Sequence, residues 1–92
     1  MNKEEKIRNI REYLCLREGV ANADANNATM MEYAMGCKKA IHEIEAVLED
    51  YDTLKRVVNE VCDTYNRKKI DNYRCGYIYV YDKVRREINR KY

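Results

Sequence analysis

The chain runs for 92 residues without one proline, and its three glycines stand far apart, at 19, 36 and 76. Proline and glycine are the residues that punctuate a chain, so long elements with few loops are expected. This length allows one domain, spanning 1–92, and no internal repeat is evident. What kind of element fills it is less plain. In "YRCGYIYVYD" (73–82), tyrosine alternates with Ile78 and Val80 from Tyr77 to Tyr81. That is strand propensity. Nothing else in the sequence alternates with period two, however, and a lone strand leaves its backbone unpaired. At helical spacing, Ile70, Tyr73, Tyr77, Val80, Tyr81, Val84 and Ile88 fall on one arc the width of a core-facing stripe. Tyr79, Lys83, Arg86 and Arg90 fall opposite. The segment therefore reads as a helix, with β-pairing of "YIYVY" between two chains as the competing reading.

The rest of the chain is helical by the same test. Ile7, Ile10 and Leu14 give residues 3–18 an apolar face, and Gly19 is placed to end that helix. "GVANADANNA" (19–28) reads as a loop, because Asn and Asp bond to their own backbone. Thr29 and Glu32 match a capping box. From there Ala34, Cys37, Ile41, Ile44, Leu48 and Tyr51 step by three and four, continuing through Val58, Cys62 and Tyr65. The expected fold is all-α, a small three-helix bundle with one long central helix. If "EDYDT" (49–53) breaks that helix, with Asp50 or Asp52 capping a new one, there are four.

Leu, Ile and Val make up only about a fifth of the chain, and there is no Phe or Trp, so nine tyrosines must share the burial. A tyrosine ring buries much area while its hydroxyl reaches an edge or a partner. So thin a core suggests self-association into a homo-oligomer. No apolar run approaches a membrane span, and the charged start "MNKEEKIRNIREYL" is unlike a signal peptide, which points to the cytoplasm. The cysteines at 15, 37, 62 and 75 lack CxxC spacing. Reduced thiols are expected, with a disulfide framework or a metal cluster as the alternatives.

Catalytic chemistry has little to work with. There is no serine, hence no serine triad or Walker-type loop. The single histidine, His42, sits off-face from Cys37 and reads as a surface residue. Glu45, Glu49 and Asp52 would share one face of the long helix, where a solvated acidic surface is the ordinary explanation. No cofactor is implied, and a binding protein rather than an enzyme is expected.

Charge is unevenly spread. Residues 1–65 hold 9 Lys/Arg against 13 Asp/Glu, whereas residues 66–92 hold 9 against 3. The candidate binding residues are therefore Arg67, Lys68, Lys69, Arg74, Lys83, Arg86 and Arg90, with Tyr79 beside them. Cations hold phosphates and rings stack on bases, so a nucleic acid is one candidate partner. A solvated basic face, or a basic end meeting the acidic middle of another copy, accounts for the same residues. Gly36 and Ala40 form a small-xxx-small step that lets helices approach.

The segment "MEYAMGCKKAIHEIEAVLEDY" (31–51), with Gly36 followed by Ala40-Ile41 and Ile44 at helix spacing, resembles helices of small phage proteins. Short length, Lys/Glu/Asn/Tyr-rich usage and the lack of catalytic residues are likewise similar to phage inhibitors of bacterial defence. Two such types are anti-CRISPR proteins and the helical sponges that sequester cyclic-nucleotide signals. The resemblance implies a phage-encoded binder of a host defence protein or a nucleotide-like ligand. It carries over no functional residue.

Overall fold

The computed structural model describes residues 2–65 and 71–90. They form four helices, α1 (Lys3–Asp24), α2 (Met31–Val47), α3 (Tyr51–Thr64) and α4 (Asn72–Asn89), and no strand. "YRCGYIYVYD" is helical within α4. Ile70, expected on its apolar stripe, lies outside the described residues.

Three boundaries differ from expectation. Gly19 does not end α1, which continues to Asp24. Glycine stops a helix when it takes a left-handed conformation, and Gly19 has no positive φ. Ala21, fully buried two residues on, holds the last turns against the core. The expected loop at 19–28 thereby shrinks to its second half. Nor does Thr29 cap α2. Its hydroxyl donates to Asn27 Oδ1 at 2.6 Å, so it belongs to the preceding turn, and the N-cap is Met30, with no side-chain bond. Finally, the single long helix divides. Asp50 takes an extended backbone and its carboxylate accepts from Thr53 N (3.2 Å) and Thr53 Oγ1 (2.8 Å). The first bond satisfies an orphan backbone donor at the start of α3 and the second adds a side-chain tie, which gives the four-helix alternative.

The centre of the molecule is the crossing of α2 and α4. A Cβ added to Gly36 would stand 1.8 Å from the Tyr73 carbonyl oxygen, and one added to Gly76 would stand 2.0 Å from the Tyr33 carbonyl oxygen. Each glycine thus lets the other helix's backbone touch its own. The contact is reciprocal, and each partner lies forty residues from its counterpart: Tyr33, Gly36 and Cys37 match Tyr73, Gly76 and Tyr77. The same offset relates buried Ala40 to Val80, Ile41 to Tyr81, Ile44 to Val84, Leu48 to Ile88 and Leu14 to Leu54. α1 packs chiefly on α2 and α3 chiefly on α4. The fold is two helical hairpins related by an approximate two-fold through the glycine crossing. The symmetry lies in the packing and leaves little trace in the sequence. Only the Tyr-x-x-Gly step and the Leu14/Leu54 pair are shared in identity; the other matched core positions are merely apolar.

A single contiguous core closes between the hairpins, with Ile10, Leu14, Ile41, Ile44, Leu54, Val58, Val80, Tyr81 and Val84 essentially inaccessible. Ile78, outside the expected stripe of α4, is also buried. α4 touches all three other helices, so its apolar arc is wider than that of a helix packed on one side. All four cysteines are free thiols; Cys37 and Cys62 are buried, Cys75 is half-buried and Cys15 exposed. Among the described residues no helix is long and apolar enough to cross a membrane.

Candidate anion-binding groove

Tyr79, Lys83 and Arg86 recur along α4 by four and three, so they form one stripe on a helix of 3.6 residues per turn, and Arg90, the residue that caps its C-terminus, follows four further on. α1 lies beside this stripe and turns it into one wall of a groove. The groove has a volume of about 330 Å³, and its polar lining is Asn9 and Tyr13 from α1, Lys83, Arg86 and Glu87 from α4, and Arg90 at the C-terminus of α4. Lys6 Nζ donates to the Ile88 carbonyl at 2.6 Å, which ties the start of α1 to the end of α4. The only carboxylate in the lining, Glu87, is already engaged. It accepts from Asn9 Nδ2 at 2.9 Å and pairs with Arg90 Nη1 at 3.3 Å. Three cations therefore face one occupied anion, and the groove carries net positive charge.

Tyr79 lies one turn before Lys83, beside the groove rather than in its lining. The residue is 38% exposed. The Arg17 guanidinium lies 5.1 Å from its ring centroid and 5.5 Å from that of Tyr33, and Lys83 Nζ lies 5.6 Å from the Tyr79 ring. Sequence spacing places Tyr79 toward solvent with Lys83 and Arg86; the structure adds that α1 and α2 reach it. Arg17 also donates to Cys37 Sγ at 3.5 Å, and that thiol to the Gly76 carbonyl at 3.4 Å. Tyr13 divides groove from cluster. Its hydroxyl is buried with no hydrogen-bond partner, and burial, reinforced by Tyr79, holds it well above the usual phenol range. An unpartnered buried O–H is a donor left for an incoming acceptor.

The sequence-derived set does not form one surface. Lys83, Arg86 and Arg90 come together as described. Arg74 sits roughly 13 Å further down α4 from Lys83, in a separate recess with Lys39, Tyr65, Tyr73 and Tyr77. Arg67, Lys68 and Lys69 lie outside the described residues. Sequence reasoning missed Arg17, Asn9, Tyr13 and Lys39. Arg17 was detectable: it follows Ile10 and Leu14 on the core-facing face of α1, where an arginine needs a special partner.

Elsewhere the chemistry is quiet. His42 is exposed. Glu45 and Glu49 line a broad recess of about 660 Å³ between α1 and α2, where Glu49 pairs with Arg11. Asp52 lies beyond the break, on α3, so the three carboxylates do not share one helix. Burial pushes the Cys37 and Cys62 thiols up, with Asp82 adding to the effect on Cys62. A cysteine nucleophile needs the opposite shift. No group of three potential metal ligands converges among the described residues. Protein-family models, curated proteins and solved structures alike offer no match to this chain.

Proposed function

We propose that this chain is a non-enzymatic binding protein, acting in the cytoplasm, that captures a phosphate-bearing, nucleotide-like ligand in the manner of a sequestering anti-defence inhibitor. The observation that carries the reading is the groove between α1 and α4. It unites Lys83, Arg86 and Arg90 around a single carboxylate that Asn9 and Arg90 already occupy. Cations on a rigid helix with a ring at the end of the row suit phosphate plus base. The phage-type resemblance supplies the biological setting, and the groove's chemistry supplies the ligand class. A nucleic-acid regulator is the second reading. Tyr79 to Arg90 spans about 16 Å of helix, long enough for two or three phosphates of a strand.

Titration calorimetry with a nucleotide panel and with single-stranded RNA, at low and high salt, tests both. Binding of a nucleotide that weakens at least about tenfold in the Lys83→Ala/Arg86→Ala double variant, with an unchanged melting curve, is the expected result. RNA binding with a salt slope reporting several phosphates, and no nucleotide binding, selects the regulator. No binding of either, or binding indifferent to the double variant, removes the groove from consideration.

Homo-oligomerisation is part of the proposal. The core closes within one chain, so burial alone does not require a second copy. The exposed Leu16, Val20, Met31 and Met35 supply apolar surface for one. A light-scattering mass of one chain at micromolar concentration discards it.

A further inference from the structure

The approximate two-fold draws attention to a second place. In the first hairpin, the planar guanidinium of Arg17 lies against Tyr33 and Tyr79. The two-fold counterparts of those residues are Tyr73 and Lys39, and Val57 stands at the position matching Arg17. Among the described residues, no arginine stands at the position matching Arg17. A recess of about 240 Å³ remains, lined by Lys39, Tyr65, Tyr73, Arg74 and Tyr77.

Its walls are prepared. The close approach at Gly36, whose added Cβ would meet the Tyr73 carbonyl and the Tyr77 amide, brings the first turns of α4 onto α2. One turn beyond Gly36, Lys39 Nζ lies 5.7 Å from the Tyr77 ring centroid. The Tyr77 hydroxyl donates to the Glu43 carboxylate, as does Tyr81 at 2.8 Å. That leaves Tyr77 nothing to offer a ligand but its ring, and holds the ring in place. Tyr65, just past the end of α3, lies nearly parallel to it, at 26° and 6.1 Å. Lys39 and Arg74 are both exposed at the rim. Aromatic faces inside and cations at the edge define the guest: a flat ring with an anionic group on one side. The volume suits one base-sized ring rather than a drug-sized molecule.

We propose that this recess is a binding site for a single planar aromatic ring carrying a phosphate, of which a nucleoside monophosphate is the simplest example. The site shares no residue with the groove between α1 and α4 and stands without it.

The experiment is calorimetric titration of the full chain with AMP, adenosine, ribose 5-phosphate and inorganic phosphate. AMP binds tightest, and adenosine and ribose 5-phosphate each bind at least about tenfold more weakly, because each lacks one half of the recognition. Arg74→Ala and Lys39→Ala, both at exposed positions, each weaken AMP at least about fivefold while leaving the helical circular dichroism intact. The Lys83→Ala/Arg86→Ala variant leaves this binding unchanged. AMP that binds no tighter than ribose 5-phosphate overturns the proposal. So does AMP binding lost in Lys83→Ala/Arg86→Ala but kept in Arg74→Ala and Lys39→Ala, or no AMP binding at all below about 10 mM.

Discussion

Three glycines sit inside three helices of this chain, and their surroundings assign them opposite roles. A Cβ at Gly19 would meet nothing within 4 Å, whereas one at Gly36 or Gly76 would collide with backbone that cannot swing aside. Gly19→Ala is therefore expected to stabilise by about 0.5–1 kcal/mol, the helix-propensity gain. Gly36→Ala and Gly76→Ala each lose at least about 1–3 kcal/mol, because the helices must move apart. Urea unfolding of the three variants reads the signs directly. The tyrosines separate in the same way. Tyr81 is buried, and Tyr81→Ala costs about 3–5 kcal/mol. Tyr79→Ala, losing only a half-exposed ring and its cation contacts, costs about 1 kcal/mol. Tyr77 adds a pH dependence. Burial first, then its bond to Glu43, pushes its phenol up from 10.0 to about 12. The folded chain holds that proton more tightly than the unfolded one. The resulting stability is complete below about pH 10 and is lost as pH climbs through about 12. Melting temperature should fall across that window, and Tyr77→Phe should flatten part of the fall.

The elements were legible to different degrees for physical reasons. α4 was readable despite its strand-like letters, because seven apolar positions at helical spacing outweigh a five-residue alternation. The break between α2 and α3 was readable as an option, since Asp50 is a good cap, but the apolar steps run on through it and no glycine or proline marks it. The end of α1 was misread because glycine stops a helix only when the chain needs a left-handed turn there. The capping box failed because Thr29 had a closer suitor in Asn27. At the candidate groove, the stripe from Tyr79 to Arg90 followed from helical geometry alone. Asn9, Tyr13 and Arg17 did not, because which helix lies beside that stripe is a tertiary fact. Arg74 shows the same limit from the other side: it belongs to the basic tail in sequence and to a different recess in space.

At the scale of the whole molecule, one scaffold is used twice with opposite charge. The two-fold counterparts of Lys83 and Arg90 are Glu43 and Asp50; Glu43 holds the Tyr77 and Tyr81 hydroxyls and Asp50 caps α3. The same scaffold thus carries a row of cations at one set of positions and structural carboxylates at the matching ones. The glycine crossing has a kinetic side as well. Contacts within each hairpin join neighbouring helices, whereas Gly36 and Gly76 meet across forty residues and cannot profit until both hairpins exist. Docking is thus expected as a late event, with the crossing unformed at the folding barrier. Gly36→Ala should then leave the refolding rate nearly unchanged and speed unfolding by most of its stability loss, a φ-value near zero in stopped-flow mixing. Leu14→Ala, inside the first hairpin, should slow refolding instead. A protein whose core lies between its two halves has nothing to hold either half once they part, so under load or rising temperature the opening of the crossing and the melting of both hairpins are a single event.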